Sequence, residues 1–339
     1  MKLFIFGSTG DLVKRKVLPA LQSLNKDNLE IVAIGRKDFT HEIYHDFVCE
    51  GDRCSPRFKK ILKYIQVDFE KEDICEGNVC RDMFDKKQNN FIYISMPPWT
   101  IIKILLSLSK MKKEGFDFSI LIEKPLGENL EQAIELKKII NENNLDVFLS
   151  DHYMFKKNVI NLNKQKFEKL KIVSAEELGL EKRAGYYDSV GALKDMVQSH
   201  FLNIAFRLLN NPEKEFSDFE IKEYKKAQYL GYVKELGKES NTETFVKLKI
   251  KTKNKEFEFI SGKKFSKKTS FLEIDNKKIE LETGDNPYEI IFSDFFNNKK
   301  EKFPKIDEAI LAWEIIRKIE SQKTELKFYE DDSSYDLLI

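Results

Sequence analysis

Across its first 150 residues the chain alternates short apolar runs with longer amphipathic ones, and this restricts the fold more than any other feature. The apolar runs are LFIFG, EIVAIG, KYIQVD, NFIYISMP, FSILIEKP and DVFLSDHY. Helical stretches run to about Asn25, from about Thr40, to about Lys113 and from about Leu130 to Asn143. Strands that are apolar throughout bury both faces, and helices that return the chain after each strand supply the cover. The pattern predicts a parallel sheet wound on both sides, an α/β Rossmann-like domain over residues 1–150. In such sheets ligands bind outside the carboxyl ends of the strands.

After residue 150 the periodicity changes. KIVSAEELGLE, FEIKEYKKAQ, ETFVKLKIKT, KEFEFISGKK and TSFLEIDNKKIELE alternate apolar with polar residues, and one long helix is expected from about Ser189 to Leu209. Alternation leaves one face of a sheet wet. Residues 151–339 are therefore expected to form an α+β domain with a large, mostly antiparallel sheet, helices on one face and a solvated, Lys-rich other face. No Pro/Gly-rich linker separates the halves, so a continuous interface and a cleft between them are expected.

Charge narrows the partners. Lys+Arg 58 against Asp+Glu 57 leaves a net charge of +1, so no global field favours nucleic acid or an anionic membrane. No apolar run approaches the roughly 18 residues of a membrane span. The chain opens directly in a strand, without a basic leader, and a cytoplasmic location is expected. Cys49, Cys54, Cys75 and Cys80 lie in two C-x4-C pairs, looser spacing than most structural zinc knuckles. Reduced thiols and no metal are expected.

Two stretches suggest a nucleotide. GSTGDLVKRK follows the first strand with glycines at Gly7 and Gly10 and Val13 three residues on, whereas the usual dinucleotide fingerprint spaces its glycines at positions one, three and six. Even so, a strand, a glycine turn and a helix start present backbone N–H groups to an anion. After the second strand, IVAIGRKDF puts Gly35, Arg36 and Lys37 where an NAD site places an acid. A guanidinium can grip a 2′-phosphate with two N–H groups, which favours NADP. Asp38 as a displaced acid, or a solvated basic pair, are the alternatives.

Further stretches carry a specific resemblance. GSTGDLVKRK at 7–16, IEKPLGENL at 122–130, DHYMFKK at 151–157, GLEKRAGYYDSVGALKDMVQSHFLN at 179–203, GKKFSKK at 262–268 and DNPYEIIFSDFF at 285–296 resemble, in order, blocks of the glucose-6-phosphate dehydrogenase family. The family's turn is similar to G-x-x-G-D-L-A, which accounts for Gly7 and Gly10 and leaves Val13 as a departure. Phe155, where the family pattern has glycine, is a second departure, expected to press on the phosphate pocket.

The resemblance implies NADP-dependent oxidation of D-glucose 6-phosphate to 6-phospho-D-glucono-1,5-lactone, the first step of the oxidative pentose phosphate pathway. That chemistry needs a base of near-neutral pKa, and histidine is the natural one. By resemblance His200 is the base and Asp151 the carboxylate that orients it. His152, Tyr153 and Lys156 hold the substrate phosphate, Glu176 and Asp195 the sugar hydroxyls, and Lys263 and Lys268 reach the substrate from the sheet domain. Lys124 reaches both nicotinamide and sugar. Gly7, Ser8, Thr9, Gly10, Asp11, Leu12, Arg36, Met96 and Pro97 line the cofactor. The family also implies a homodimer through the second domain's sheet, although this chain is shorter than its members there. Two alternatives stay open: an NADP-linked dehydrogenase of another sugar or inositol of the Gfo/Idh/MocA type, and a non-catalytic NADP-binding sensor. DHY with Lys156 argues against the first, and Asp151 with His200 against the second.

Overall fold

The six apolar runs form the six parallel strands of one sheet, in the order β3-β2-β1-β4-β5-β6. They are β1 (Lys2–Phe6), β2 (Glu30–Gly35), β3 (Leu62–Gln66), β4 (Asn90–Ile94), β5 (Phe118–Glu123) and β6 (Asp146–Ser150). The computed structural model describes residues 1–50, 53–69, 82–88, 90–180, 184–281, 284 and 286–338. The central strands β1 and β4 are almost wholly buried, as continuous apolar sequence requires. Local signals start the helices. Thr40 accepts from the Ile43 N–H to open helix α1 (His41–Cys49), and Asn129 accepts from the Gln132 N–H to open α2 (Leu130–Glu142).

The sequence reading divides the chain once, at residue 150. The two compact units are Met1–Phe155 with Asn286–Ile306, and Lys156–Asp285 with Asp307–Ile339. The returning segment carries a helix, Pro287–Phe296, that lays aromatic rings on the first sheet. Phe295 meets Phe91 and Phe148 edge-on at 5.2 and 5.1 Å, and Phe292 meets Tyr93 at 5.3 Å. Edge-to-face pairs of this kind add to plain area burial. Phe155 joins that core against Phe303 at 4.8 Å and is fully buried, so the departure expected to press on a phosphate pocket is a packing residue. Cys49 and Cys54, expected as reduced thiols, are joined by a disulfide with Cα atoms 5.2 Å apart, a separation that bridging permits. Cys75 and Cys80 lie outside the described residues. Among the described residues no helix is long and apolar enough to cross a membrane.

The second unit is built on a seven-stranded sheet of order β12-β11-β7-β10-β9-β8-β13. Its strands are β7 (Lys169–Ala175), β8 (Glu220–Tyr229), β9 (Phe245–Lys251), β10 (Glu256–Gly262), β11 (Thr269–Ile274), β12 (Lys277–Glu280) and β13 (Leu326–Tyr329). Four of its six strand pairings are antiparallel, and β7–β10 and β8–β13 are parallel. A helix packs on one face, with Phe201 on Phe259. The other face carries a row of alternating charge, Glu223–Lys249–Glu258–Lys171–Glu273, one residue per strand from β8 to β11.

This face is less solvated than its lysines suggest. Lys247 is 4% exposed, with Nζ 3.0 Å from Glu223 and 3.8 Å from Glu258. Lys249 reaches the same two carboxylates at 3.3 and 3.6 Å. A cation leaves water at tolerable cost only when it is paired in this way. Partial burial raises the Glu223 pKa, but hydrogen bonds and charge from Lys225, Lys247 and Lys249 outweigh it and bring the carboxyl down to about 2. The folded form therefore binds its proton less readily than the unfolded chain, whose value is 4.5. The resulting stabilisation is complete above pH 4.5 and is lost as pH falls towards 2. Glu223→Gln should lower thermal stability at neutral pH, and its melting curve should converge on that of the wild type in acid. A constant gap in melting temperature across that range would show that the charge contributes nothing.

Candidate active site

Parallel register places the expected residues of the first unit. Phe6 pairs with Ile34 and Ile94, Ile94 with Ile122, and Ile122 with Leu149. One step on, the row reads Gly7, Gly35, Ser95, Glu123, Ser150. Two steps on, it reads Ser8, Arg36, Met96, Lys124, Asp151. The first-unit residues expected from sequence therefore fall at the carboxyl edge of the sheet, one strand each. The strand ends at Ser150, as expected, and a tight helical turn, His152–Phe155, follows. Asp151 shapes that turn: its carboxylate accepts the Tyr153 N–H at 2.9 Å and its carbonyl the Met154 N–H at 3.0 Å.

The glycine turn needs its glycine. Gly7 has φ of +82°, and a Cβ there would lie 2.2 Å from the Ser95 carbonyl oxygen and 2.9 Å from the Met96 sulfur. The Gly7 and Ser8 N–H groups both donate to the Ile34 carbonyl, and the Gly10 N–H donates to the Gly7 carbonyl. Val13 is fully buried where the helix begins, and that helix is wound in the wide π form over Val13–Val17 before continuing as an α-helix over Leu18–Leu24. The Ser8 hydroxyl is buried with no hydrogen-bond partner among the described residues. An orphaned hydroxyl in a glycine turn at a helix start fits a nucleotide phosphate. The backbone of Gly7–Leu12 would hold the pyrophosphate. Both basic residues after β2 are exposed, Arg36 at the row's edge and Lys37 over the Phe39 and Phe47 rings at 5.5 and 4.5 Å. The Tyr64 hydroxyl fixes this backbone by donating to the Gly35 and Lys37 carbonyls.

In the second unit, the placement of the expected residues depends on a parallel pair within its mixed sheet. Gly262 of β10 pairs with Ala175 of β7, so both strands end together and deliver Lys263 beside Glu176, where the two form an ion pair. Lys263 is buried and its ammonium lies 5.1 Å from the centre of the Tyr187 ring. Burial pushes the Tyr187 phenol well up, with Asp195, Glu243 and Glu176 adding to the rise. Lys268 is not part of this pair; it is exposed in the turn before β11. Lys156 is buried at the start of a short helix, while its neighbour Lys157 is exposed.

Asp195 and His200 share one helix, π-wound over Leu193–Phe201 and α-helical over Leu202–Leu208. The expected single helix from Ser189 is broken before it, at Gly191 with φ of +66°. The π winding matters because i→i+5 bonding stacks residues five apart, whereas α-helical winding stacks those three and four apart. Asp195 and buried His200 thus face one way. The other two histidines have structural partners: His41 accepts the Tyr64 N–H, and His45 Nε2 lies 2.8 Å from the Leu62 carbonyl.

Two buried carboxylates escaped the sequence reading. Glu243 holds the start of the His200 helix, its carboxylate accepting the Leu193 N–H at 3.0 Å and its carbonyl the Ala192 N–H at 3.1 Å. Glu123 lies beneath the first unit's edge row and accepts hydrogen bonds from the Tyr93 and Ser150 hydroxyls at 2.7 and 2.8 Å. Burial raises its pKa, and the hydroxyls of Tyr93, Ser150 and Tyr288 oppose that rise. No periodicity marks either residue, because both are acids at positions where the pattern reads strand end or loop.

Comparison with known proteins agrees with this geometry. The model of the glucose-6-phosphate dehydrogenase NAD-binding domain matches residues 4–161, and that of the same enzyme's C-terminal domain matches residues 154–228. The glucose-6-phosphate 1-dehydrogenase of Buchnera aphidicola subsp. Schizaphis graminum is 28% identical over 82% of this chain and 70% of its own length. That of Helicobacter pylori strain 26695 is 30% identical over 73% of this chain and 68% of its own. The crystal structure of glucose-6-phosphate 1-dehydrogenase from Mycobacterium avium superposes with a TM-score of 0.81 at 21% identity, covering 99% of this chain and 95% of that one. The chain spans from about half to about seven-tenths of the length of its curated relatives. With the glycine turn, the acid-free end of β2 and the Asp195–His200 helix in place, the chain belongs to the glucose-6-phosphate dehydrogenase family.

Proposed function

We infer that the chain oxidises glucose 6-phosphate to 6-phosphoglucono-1,5-lactone with NADP as hydride acceptor. The carrying observation is the family match, which runs from residue 4 to 228 through Asp151, Lys156 and His200. When bound, NADP takes up the hydride from C1. The remaining work falls to the chain. His200 removes the C1 hydroxyl proton as the C1–O1 double bond forms, and Asp151 orients and stabilises the imidazolium. Lys156, with His152 and Tyr153, holds the phosphate, Glu176 and Asp195 the sugar hydroxyls, and Lys263 and Lys268 assist from the sheet unit. Lys124 serves both ligands. An ionised sugar phosphate does not cross a bilayer unaided, so the same proposal places the reaction in the cytoplasm. A homodimer through the second sheet belongs to it as well, supported by the alternating row, which is self-complementary after a shift of one strand.

Formation of NADPH from glucose 6-phosphate by the purified chain is the direct test; none above background would overturn the function. His200→Asn should lower kcat by about 10²–10⁴-fold with KM little changed, since the loss falls on proton transfer. Near wild-type turnover would remove His200 from the mechanism.

Arg36→Ala should narrow the preference for NADP over NAD by about tenfold or more, the loss expected for a forked, charge-assisted contact. The measurement is the ratio of kcat/KM for the two cofactors, and an unchanged ratio would assign the 2′-phosphate elsewhere. Lys156→Ala should narrow the ratio of kcat/KM for glucose 6-phosphate over glucose by about tenfold or more, because a remote phosphate supplies binding energy for positioning. Exposed Lys157→Ala is the control and should leave that ratio intact.

A further inference from the structure

Glu123 is a fully buried acid that the proposed chemistry does not use. Its carboxylate takes the Tyr93 hydroxyl from β4 and the Ser150 hydroxyl from β6, while Glu123 itself ends β5. The returning helix Pro287–Phe296 brings the Tyr288 ring into the same region, its hydroxyl buried without a hydrogen-bond partner among the described residues. Each partner adjoins an expected ligand contact. Tyr93 is three residues before Met96, Glu123 precedes Lys124, and Ser150 precedes Asp151. The Tyr288 ring lies roughly parallel to the His152 ring, 6.3 Å away and tilted by 15°.

We propose that Glu123 is a positioning residue, whose single carboxylate locks the ends of β4, β5 and β6 so that Lys124, Asp151 and His152 are held in a fixed arrangement. The physical case is that parallel ladder bonds stop at the last paired residue. The β5–β6 ladder ends at Glu123 and Ser150, and a buried acceptor with two hydroxyl donors supplies a constraint beyond it. An apolar residue here would pack as well and would leave the strand ends independent. Two donors converging on one acid also give it a fixed orientation that no single bond would. The catalytic part of this inference rests on the function proposed above; the positioning part does not.

Glu123→Gln keeps the size and removes the charge, and Ser150→Ala and Tyr93→Phe each delete one arm. In the full-length protein with glucose 6-phosphate and NADP, Glu123→Gln should lower kcat by about 10–100-fold while KM for NADP changes less than about threefold, because displacement of reacting groups by about 1 Å has effects of that size. Ser150→Ala should lower kcat less, and adding it to Glu123→Gln should have little further effect. Amide hydrogen exchange supplies the activity-independent arm: Glu123→Gln should speed exchange at Lys124–Gly127 and Asp151–Phe155 and leave β1 and β2 protected. Faster exchange in both segments of Glu123→Gln, with a wild type that itself proves inactive, would sink the assigned reaction and uphold the positioning role. Unchanged exchange with unchanged kcat would overturn the positioning role, as would a loss of activity fully explained by a lower melting temperature.

Discussion

Parallel pairing around β1 is the constraint on which the rest of the first unit depends. Six strands that all run the same way must end at one edge, and fixed register makes their last residues neighbours whatever the connecting helices do. Gly7, Arg36, Met96, Lys124 and Asp151 are scattered over about 150 residues of sequence and are brought to one edge by the ladder hydrogen bonds of the strands that precede them. The approach is close: only a glycine fits at position 7 opposite the Ser95 carbonyl. The second sheet uses the same principle more sparingly. Most of its pairs are antiparallel, and the parallel β7–β10 pair is the one that brings Glu176 and Lys263 to a common end.

Three acids show how the chain holds these edges. Glu123 ties strand ends together, Glu243 holds the start of a helix, and Glu176 neutralises a buried lysine. Desolvation raises the pKa of Glu123 and of Glu243, and hydrogen bonds to neighbouring groups oppose it in each. Such groups add little net stability compared with apolar packing, but they specify one arrangement out of several that would pack equally well.

Much of this was legible in the sequence. The six strands of the first sheet and five of the second follow from period and apolar content, and the edge residues follow from strand ends and family blocks. What was not legible has physical reasons. β13 is a four-residue strand at a sheet edge, LKFY, too short to show a period, so its pairing with β8 leaves no pattern. Lys247 reads as solvent-facing by alternation, yet two glutamates on neighbouring strands enclose it, and cross-strand partners are invisible to a local window. The π winding that turns Asp195 and His200 the same way has no compositional signature, and the Cys49–Cys54 bridge is not fixed by cysteine spacing alone. Glu123 and Glu243 were passed over because nothing in a single sequence distinguishes a buried acid from an exposed one.

The aromatic helix Pro287–Phe296 has a consequence for the order in which the protein can form. Its phenylalanines cover β4–β6, yet Lys156–Asp285 are synthesised before them. At ordinary rates of translation the first sheet therefore leaves the ribosome with Phe91, Tyr93 and Phe148 uncovered for on the order of ten seconds. The first unit is contiguous in space and discontinuous in synthesis, so its last layer arrives only after most of the second unit has been made. During that interval an apolar face is open to chaperones and to other nascent chains, and a fragment cut at residue 155 would keep that face permanently.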